Sequence, residues 1–395
     1  MPTAVLDLDL DHIPAELTGI HGYPRALIMT RFHGCPVGQV AVSLRDGGLA
    51  GDALRRAVFD ALDWSFWERW LHAYLGWSPG DRITPSPVTA TVAVCTRDRP
   101  EDLRRCLEAL MRLPDDGQEV LVIDNAPATE ATLRLVSEYP RARYVLEPRP
   151  GLNVARNRAL REARHEIVAF TDDDAGPDPG WLRALLRNFQ DDLVLAATGL
   201  TMPLELETEA QEAFERHTPF GRGFRRTVFD GLVHDPLSVG RVGAGANMAL
   251  HRLTLDLVGP FDEALDGGTP TRTGGDHEMF SRILAAGYRI VYDPAALSWH
   301  RHRRTREELR RTLFGYGTGV YAMWTRSLLQ AGEWGVLKRA AGWFVQDQLP
   351  AVVRALLRRP GSTPLDLLLA ELRGCLTGPG AYLASRRRLR GRAET

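Results

Sequence analysis

Apolar and polar positions follow a regular scheme only in the middle of the chain. Between residues 88 and 190, short apolar runs ("VTATVAVCT", "EVLVIDN", "ARYVLEP", "EIVAFTDDD") take turns with segments whose apolar residues recur every three or four positions ("DRPEDLRRCLEALMRL", "ATEATLRLVSEY", "GLNVARNRALREAR", "DPGWLRALLRNF"). The first pattern predicts buried strands and the second predicts helices. In the first helix Leu103, Cys106, Leu107, Leu110 and Met111 share a face. Pro100 falls in its first turn, and Asp98 is expected as its N-cap. Strands that are apolar throughout, each followed by a helix, predict an α/β fold. Its sheet is mostly parallel, with helices on both faces.

The flanks read differently. In residues 1–85, "RALIMTRFHGCPVGQVAVSL" predicts two strands about a turn, and "GDALRRAVFDALDWSFWERWLHAYLGW" predicts helix. This is a small N-terminal α+β region, and "SPGDRITPSP" (78–87) is its linker. Four tryptophans between 64 and 77 form a stripe whose simplest role is packing against a neighbouring domain. After residue 200 the scheme loosens. "ETEAQEAFERHT" and "HEMFSRILAAGY" read as helices, "VGAGANMALHR" and "RIVYDPAALSWHRHRR" as strands, and 219–240 and 262–275 as loops. Residues 306–395 read as helices broken at Pro350, Pro360 and Pro364. Three regions result: 1–85, a central domain over 88–305, and a C-terminal helical segment over 306–395.

Composition refines this only in places. The 395 residues are 44 % hydrophobic and 25 % charged, ordinary for a globular protein. Residues 301–395 hold 18 Lys and Arg against 7 Asp and Glu, while the rest holds 31 against 43. A solvated helix face accounts for that basic end; attraction to an anionic membrane surface is the alternative. Cys35, Cys95, Cys106 and Cys375 are scattered, so neither a zinc site nor a disulfide framework is expected. No apolar run is long enough for a membrane span, and the N-terminus lacks a signal-peptide pattern. A cytoplasmic protein is expected, peripheral on the inner membrane face if the basic end binds lipid. No nucleic-acid partner is expected. Lys338 is the sole lysine.

The candidate chemistry begins at Asp172, Asp173 and Asp174, three like charges where an apolar strand stops. Adjacent carboxylates repel, more so when desolvated. Alternate residues of an extended segment point the same way, so Asp172 and Asp174 can converge on Mg2+ or Mn2+ while Asp173 faces elsewhere. In an open α/β sheet, ligands sit beyond the carboxyl ends of the strands, which is where these acids and Asp124 of "VLVIDN" fall. "GAGANMAL" lacks the last glycine of a dinucleotide fingerprint, and no phosphate-binding GxxxxGK[ST] occurs.

In order and spacing, "VAVCTRDRPEDLRRCLEAL", "VLVIDN", "GLNVARN", "VAFTDDDAGPDPGWL", "GAGANMAL", "GPFDEAL", "GGDHEMFSRILAAGYRIVYDP" and "WHRHRR" resemble family 2 glycosyltransferases across about 88–305. The resemblance implies a GT-A, Rossmann-like fold and inverting transfer from a nucleoside-diphosphate sugar to a glycan, lipid or small-molecule hydroxyl. It implies that Thr96, Asp98, Asp124, Arg156, Asp172 and Asn247 contact the donor. Asp172 and Asp174, with His300 of "WH", would hold Mn2+ or Mg2+. Asp276 would be the general base, with Glu278 the competing carboxylate. Where many relatives read Gly-Glu-Asp, this chain reads Gly274-Gly275-Asp276, and Arg97 stands where an aromatic residue is common. A sugar-nucleotide pyrophosphorylase or a haloacid-dehalogenase-type phosphatase would each want a lysine in the central domain, which has none. A non-catalytic glycan- or lipid-binding scaffold on the same fold is the rival of a different class.

Overall fold

The computed structural model describes residues 2–77, 83–359 and 361–393. The first half of the expected linker, 78–82, and the break at Pro360 lie outside the described residues. At the centre is one large mixed sheet. Strands Ala90–Thr96, Glu119–Asn125, Ala142–Glu147 and Ile167–Asp172 are parallel neighbours, as their apolar runs predict. Alternate side chains of these strands feed two cores. Ala93, Leu121, Ile123, Val168 and Phe170 face helices Leu152–Glu162 and Gly275–Ala285. Val92, Val94, Val120, Val122 and Ala169 face helices Pro100–Met111, Ala131–Ser137 and Trp181–Leu186. That double burial is why Ala90–Thr96 and Ile167–Asp172 read as apolar runs, while Ala142–Glu147, at the sheet edge, is half-buried and carries Arg143.

The second half of the sheet departs from the sequence pattern. Strand Asn247–His251 pairs antiparallel with Ile167–Asp172 and with Val194–Pro203. Val194–Pro203 was not expected; it is buried at all ten positions, but "LAATGLT" is built of small residues rather than an apolar branched run. It runs parallel to Arg289–His300, the strand that carries "WH". Gly243–Ala246, expected as strand, is loop. Residues 219–240, expected as loop, contain strand Thr227–Asp230, which pairs with Arg289–His300.

The N-terminal region is a three-stranded sheet in which Thr3–Asp9 runs parallel to Arg25–Phe32, and that strand pairs with Cys35–Ser43. Arg31 bridges it to the central domain, reaching Asp7 and, at 2.6 Å, Asp178. The expected single helix is two, Gly51–Ala61 and Trp64–Leu75, with Asp63 capping the second through Ser65 N. Among the described residues the aromatic stripe does not pack against a neighbouring domain. Trp64 and Tyr74 are 70 % and 75 % exposed, and only Phe66 of that helix is buried. Trp70 instead stacks on Tyr74 along the helix surface.

In the C-terminal segment, helices Arg306–Ala331 and Leu365–Ala393 lie along each other. Their contact requires glycine: a Cβ on Gly317 would sit 2.2 Å from Glu371 O, and one on Gly374 2.1 Å from Phe314 O. Pro350 breaks nothing. It falls in the first turn of helix Leu349–Leu356, which continues Gly335–Trp343 through one π turn, Phe344–Gln348. The proline removes one N–H from this continuous run, and the π turn that precedes it is a place where the helical hydrogen-bond ladder is already interrupted.

Candidate active site

Three strand ends meet at one edge of the sheet. Thr96 is in register with Asp124, and Cys95 with Asp172, so their side chains arrive at the same height. A cavity of about 300 Å³ opens there, with Thr96, Arg99, Asn125, Asp172, Gly268 and Arg303 among its walls.

The chain turns after Asp172 and returns as Ala175–Pro177, antiparallel to Ser298–His300. That pairing sets Ala175 opposite His300, so the imidazole reaches back to Asp174, Nε2 lying 3.1 Å from Oδ1. One ligand atom from each of Asp172, Asp174 and His300 lies within 4.8 Å of the others. As expected, Asp173 points away: it accepts from Thr96 Oγ1 at 2.8 Å and from Arg99 at 2.5 Å. Arg99 also reaches Asp174 at 2.7 Å, and Arg303 reaches it at 3.3 Å. Burial pushes the carboxyl of Asp174 upward, but His300, Arg99 and Arg303 outweigh it and hold the group well below the usual range. Burial and Asp174 raise Asp172 against the pull of Arg156 and His300, and burial lifts Asp173 to about 7. Burial opposes protonation of His300, yet Asp174 raises its pKa overall. Arg99 and Arg303 have no mark in the sequence beyond being arginines near motifs.

Two expected donor contacts are placed otherwise. Asp98 does not cap the helix, where Arg99 holds the N-cap position. Asp98 has φ 53° and accepts from Ala128 N at 2.7 Å, tying the loops after two neighbouring strands together. Asn247 is fully buried and spent on the fold. It accepts from Trp181 Nε1 at 2.7 Å and donates to Leu200 O and Ala296 O, both at 2.9 Å. Asp124 is 0 % exposed, bonded to the Tyr144 hydroxyl at 2.9 Å, while its Oδ1 lacks a protein partner. In this conformation Asn125, not Asp124, faces the cavity.

Arg156 is buried at the centre of an acidic ring. It donates to Asp266 Oδ2 at 2.8 Å and lies over the ring of Phe261. Its charge acts on Asp172 and Asp276 as well. Asp266, at φ 79° in the polar loop, carries no sequence signal, since an acid beside two glycines reads as a turn. Its Oδ2 also accepts from Gly275 N at 3.2 Å. This accounts for the missing glutamate: a Cβ on Gly275 would meet Asn153 Nδ2 at 2.3 Å and Asp266 Oδ2 at 2.6 Å.

Asp276 stands in the first turn of helix Gly275–Ala285. Its Oδ2 accepts from Gly245 N at 2.7 Å and its Oδ1 from His277 N at 2.8 Å. Burial pushes its carboxyl up, but His277, Arg156 and the two backbone N–H groups outweigh it and hold the pKa below normal. Glu278, the competing carboxylate, is buried and paired to Arg282 at 2.6 Å and Arg326 at 3.0 Å.

Residues 91–234 match the family model "Glycosyl transferase family 2". It is 30 % identical over 240 residues to the Pre-mycofactocin glycosyltransferase of Mycobacterium tuberculosis, covering 60 % of this chain and 48 % of that protein. It is 28 % identical to the Succinoglycan biosynthesis protein ExoM of Rhizobium meliloti, covering 54 % and 71 %. The chain thus spans about half the length of the mycobacterial relative. Among solved structures it resembles a mannosyltransferase, PcManGT from Pyrobaculum calidifontis, in complex with GDP-Man and Mn2+. That likeness is one of fold: TM-score 0.50, 19 % identity, 79 % of this chain and 94 % of that one. The central domain has the GT-A fold.

Proposed function

We propose that the chain is an inverting glycosyltransferase that moves a sugar from a nucleoside-diphosphate donor to a hydroxyl. The observation that carries this is the grouping of Asp172, Asp174 and His300 at the strand ends, with an ionised Asp276 linked to them through Arg156. The family match and the fold shared with a protein that binds GDP-Man and Mn2+ support it.

The donor set fits a divalent cation. Two carboxylates suit Mg2+ or Mn2+, and the imidazole tilts the set toward Mn2+. Such an ion, when bound, stabilises charge on the departing diphosphate. The other roles belong to protein groups. Arg99 and Arg303, on the cavity wall, offer guanidinium forks to phosphate oxygens. Asn125 and Thr96 face the nucleoside side. Arg156 positions Asp266 and Asp276. Asp276 takes the proton as the acceptor O–H breaks; the acceptor oxygen bonds to the anomeric carbon, and the bond to the diphosphate breaks with its electron pair.

The acceptor, donor sugar and cytoplasmic location follow from the same reading as proposals, as does a peripheral membrane contact. For that contact, Leu337, Phe344, Val345, Leu349, Val353 and Leu356 of the C-terminal helices are exposed. No helix among the described residues is long and apolar enough to cross a membrane. The test of function is a thermal-shift screen of nucleoside diphosphates with Mn2+, followed by release of diphosphate from the matching nucleotide sugars. A nucleoside diphosphate that stabilises the fold only with the metal supports the reading. No stabilisation and no turnover across the common nucleotide sugars counts against it.

A further inference from the structure

A line of buried polar groups continues behind His300, on the side of its ring away from Asp174. Its Nδ1 lies 3.2 Å from His302 Nδ1, and His302 Nε2 lies 3.1 Å from Glu215 Oε2. His300 ends strand Arg289–His300, and alternate residues of an extended segment share a side, so both imidazoles point the same way. Phe220 meets both rings edge-on, at 5.1 Å and 5.9 Å between centroids, and Phe214 lies 4.3 Å from His302. Glu215 comes from helix Glu209–His217, which is held along its length. Thr208 and Gln211 form its capping box, Glu212 accepts from Thr3 and Arg25, and His217 lies 3.3 Å from Glu371. Gln211 of the same helix also donates to His302 O at 3.3 Å. Neither His302 nor Glu215 lines the cavity at the strand ends.

We propose that His302 and Glu215 are positioning residues that turn the Nε2 lone pair of His300 toward Asp172 and Asp174, and so set the preference of that site for Mn2+ over Mg2+. The proposal rests on reading Asp172, Asp174 and His300 as the cation site. A ring nitrogen that binds a cation must offer a lone pair, so the proton of a neutral His300 has to sit on Nδ1 and needs an acceptor there. His302 Nδ1 is the acceptor within reach. Glu215 fixes that role. An ionised carboxylate only accepts, so His302 turns its Nε2–H to Glu215 and keeps the lone pair on Nδ1 for His300. The opposite arrangement, with the shared proton on His302 Nδ1, leaves the proton of His300 on Nε2, where it blocks the cation. Selectivity follows from the ligand types. Two carboxylates serve either ion, and Mg2+, which favours oxygen, gains less from an imidazole than Mn2+ does.

The test is metal binding by the full chain with no sugar nucleotide present. Electron paramagnetic resonance of free Mn2+ gives its affinity, and competition gives that of Mg2+. His302→Phe keeps a ring beside Phe214 and Phe220 but offers no acceptor to His300. It should weaken Mn2+ by about 10–100-fold and Mg2+ by a smaller factor, so that the preference for Mn2+ shrinks. His302→Asn keeps a side-chain oxygen close to the place of Nδ1 and should bind Mn2+ more tightly than the Phe variant. It is also the second variant should the first fail to fold. Thermal unfolding in EDTA reads the fold without metal. A purely structural role would lower that midpoint and leave the Mn2+ affinity and the Mn2+/Mg2+ ratio of the folded chain at wild-type values; that result overturns the assignment, as does equal weakening of both ions. If the wild type binds no Mn2+, the cation reading of Asp172, Asp174 and His300 fails, and this inference with it. Wild-type binding that the variants leave unmoved overturns only the roles of His302 and Glu215.

Discussion

Arg99 holds its guanidinium 2.7 Å from Asp174, one of the carboxylates that would bind a cation. The protein therefore carries an internal counter-ion for its own acidic cluster, and an incoming metal competes with it. Removing Arg99 takes one cation from two carboxylates that are almost wholly buried, leaving Asp173 with Thr96 and Asp174 with His300 and Arg303. Arg99→Leu should cost about 3 kcal/mol, the scale of a broken buried pair. Millimolar Mn2+ should restore part of that loss, because the metal then supplies the missing charge. Urea unfolding with and without Mn2+ measures both.

Asp172→Asn and Asp174→Asn should each remove the metal-dependent part of nucleoside-diphosphate binding. Roughly a hundredfold weakening, about 2.8 kcal/mol, is expected in a titration with Mn2+ present. Both variants should keep the wild-type affinity in EDTA, where the metal contributes nothing.

Asp276→Asn keeps the shape and one of the two hydrogen bonds accepted from Gly245 N and His277 N, but cannot accept a proton. Transfer should fall by roughly 10²–10⁴-fold, with nucleoside-diphosphate affinity unchanged. Glu278→Gln should act on the fold instead. Its carboxylate pairs with Arg282 and Arg326, so the midpoint of thermal unfolding should drop while kcat of the folded fraction stays near wild type.

The pH dependence of stability gives an independent reading of Asp276. Its folded pKa lies below the unfolded value of about 3.9. The ionised group therefore adds stability that is fully present above about pH 4 and is lost as pH falls through the lowered folded value. The difference in unfolding free energy between wild type and Asp276→Asn should be flat from neutrality to about pH 5 and shrink below about pH 4. A difference that grows on acidification would show the opposite shift.

The exposed apolar stripe on the C-terminal helices and the arginines near residue 390 should bind anionic vesicles at low salt and release at high salt. Sedimentation with phosphatidylglycerol liposomes tests this; Phe344→Ser with Val345→Ser should reduce the bound fraction severalfold.

The half of the sheet up to Asp172 was legible because its strands are short runs rich in Val, Ile and Leu, set between helices with one apolar face. Val194–Pro203 was not, because "LAATGLT" has small residues in place of branched ones, so equal burial leaves no strand signal. The acidic triplet announced itself through charge at a strand end. Arg99, Arg303 and Asp266 did not, since each matters only through partners 75 to 129 positions away, namely Asp174 and Arg156. The tryptophan stripe misled because helical spacing of apolar residues says that a face exists and not what covers it. Asn247 misled in another way: a motif shared with a binding family was taken up by the backbone carbonyls of Leu200 and Ala296.

Lys338 is the one lysine in 395 residues, and it stands exposed on the wall of a cavity of about 810 Å³ that Trp324 and Trp343 also line. The chain therefore offers a single side-chain amine to acylating reagents, on the same wall as those two tryptophans. A fluorophore or spin label attached through it would report occupancy and movement there without any engineered cysteine.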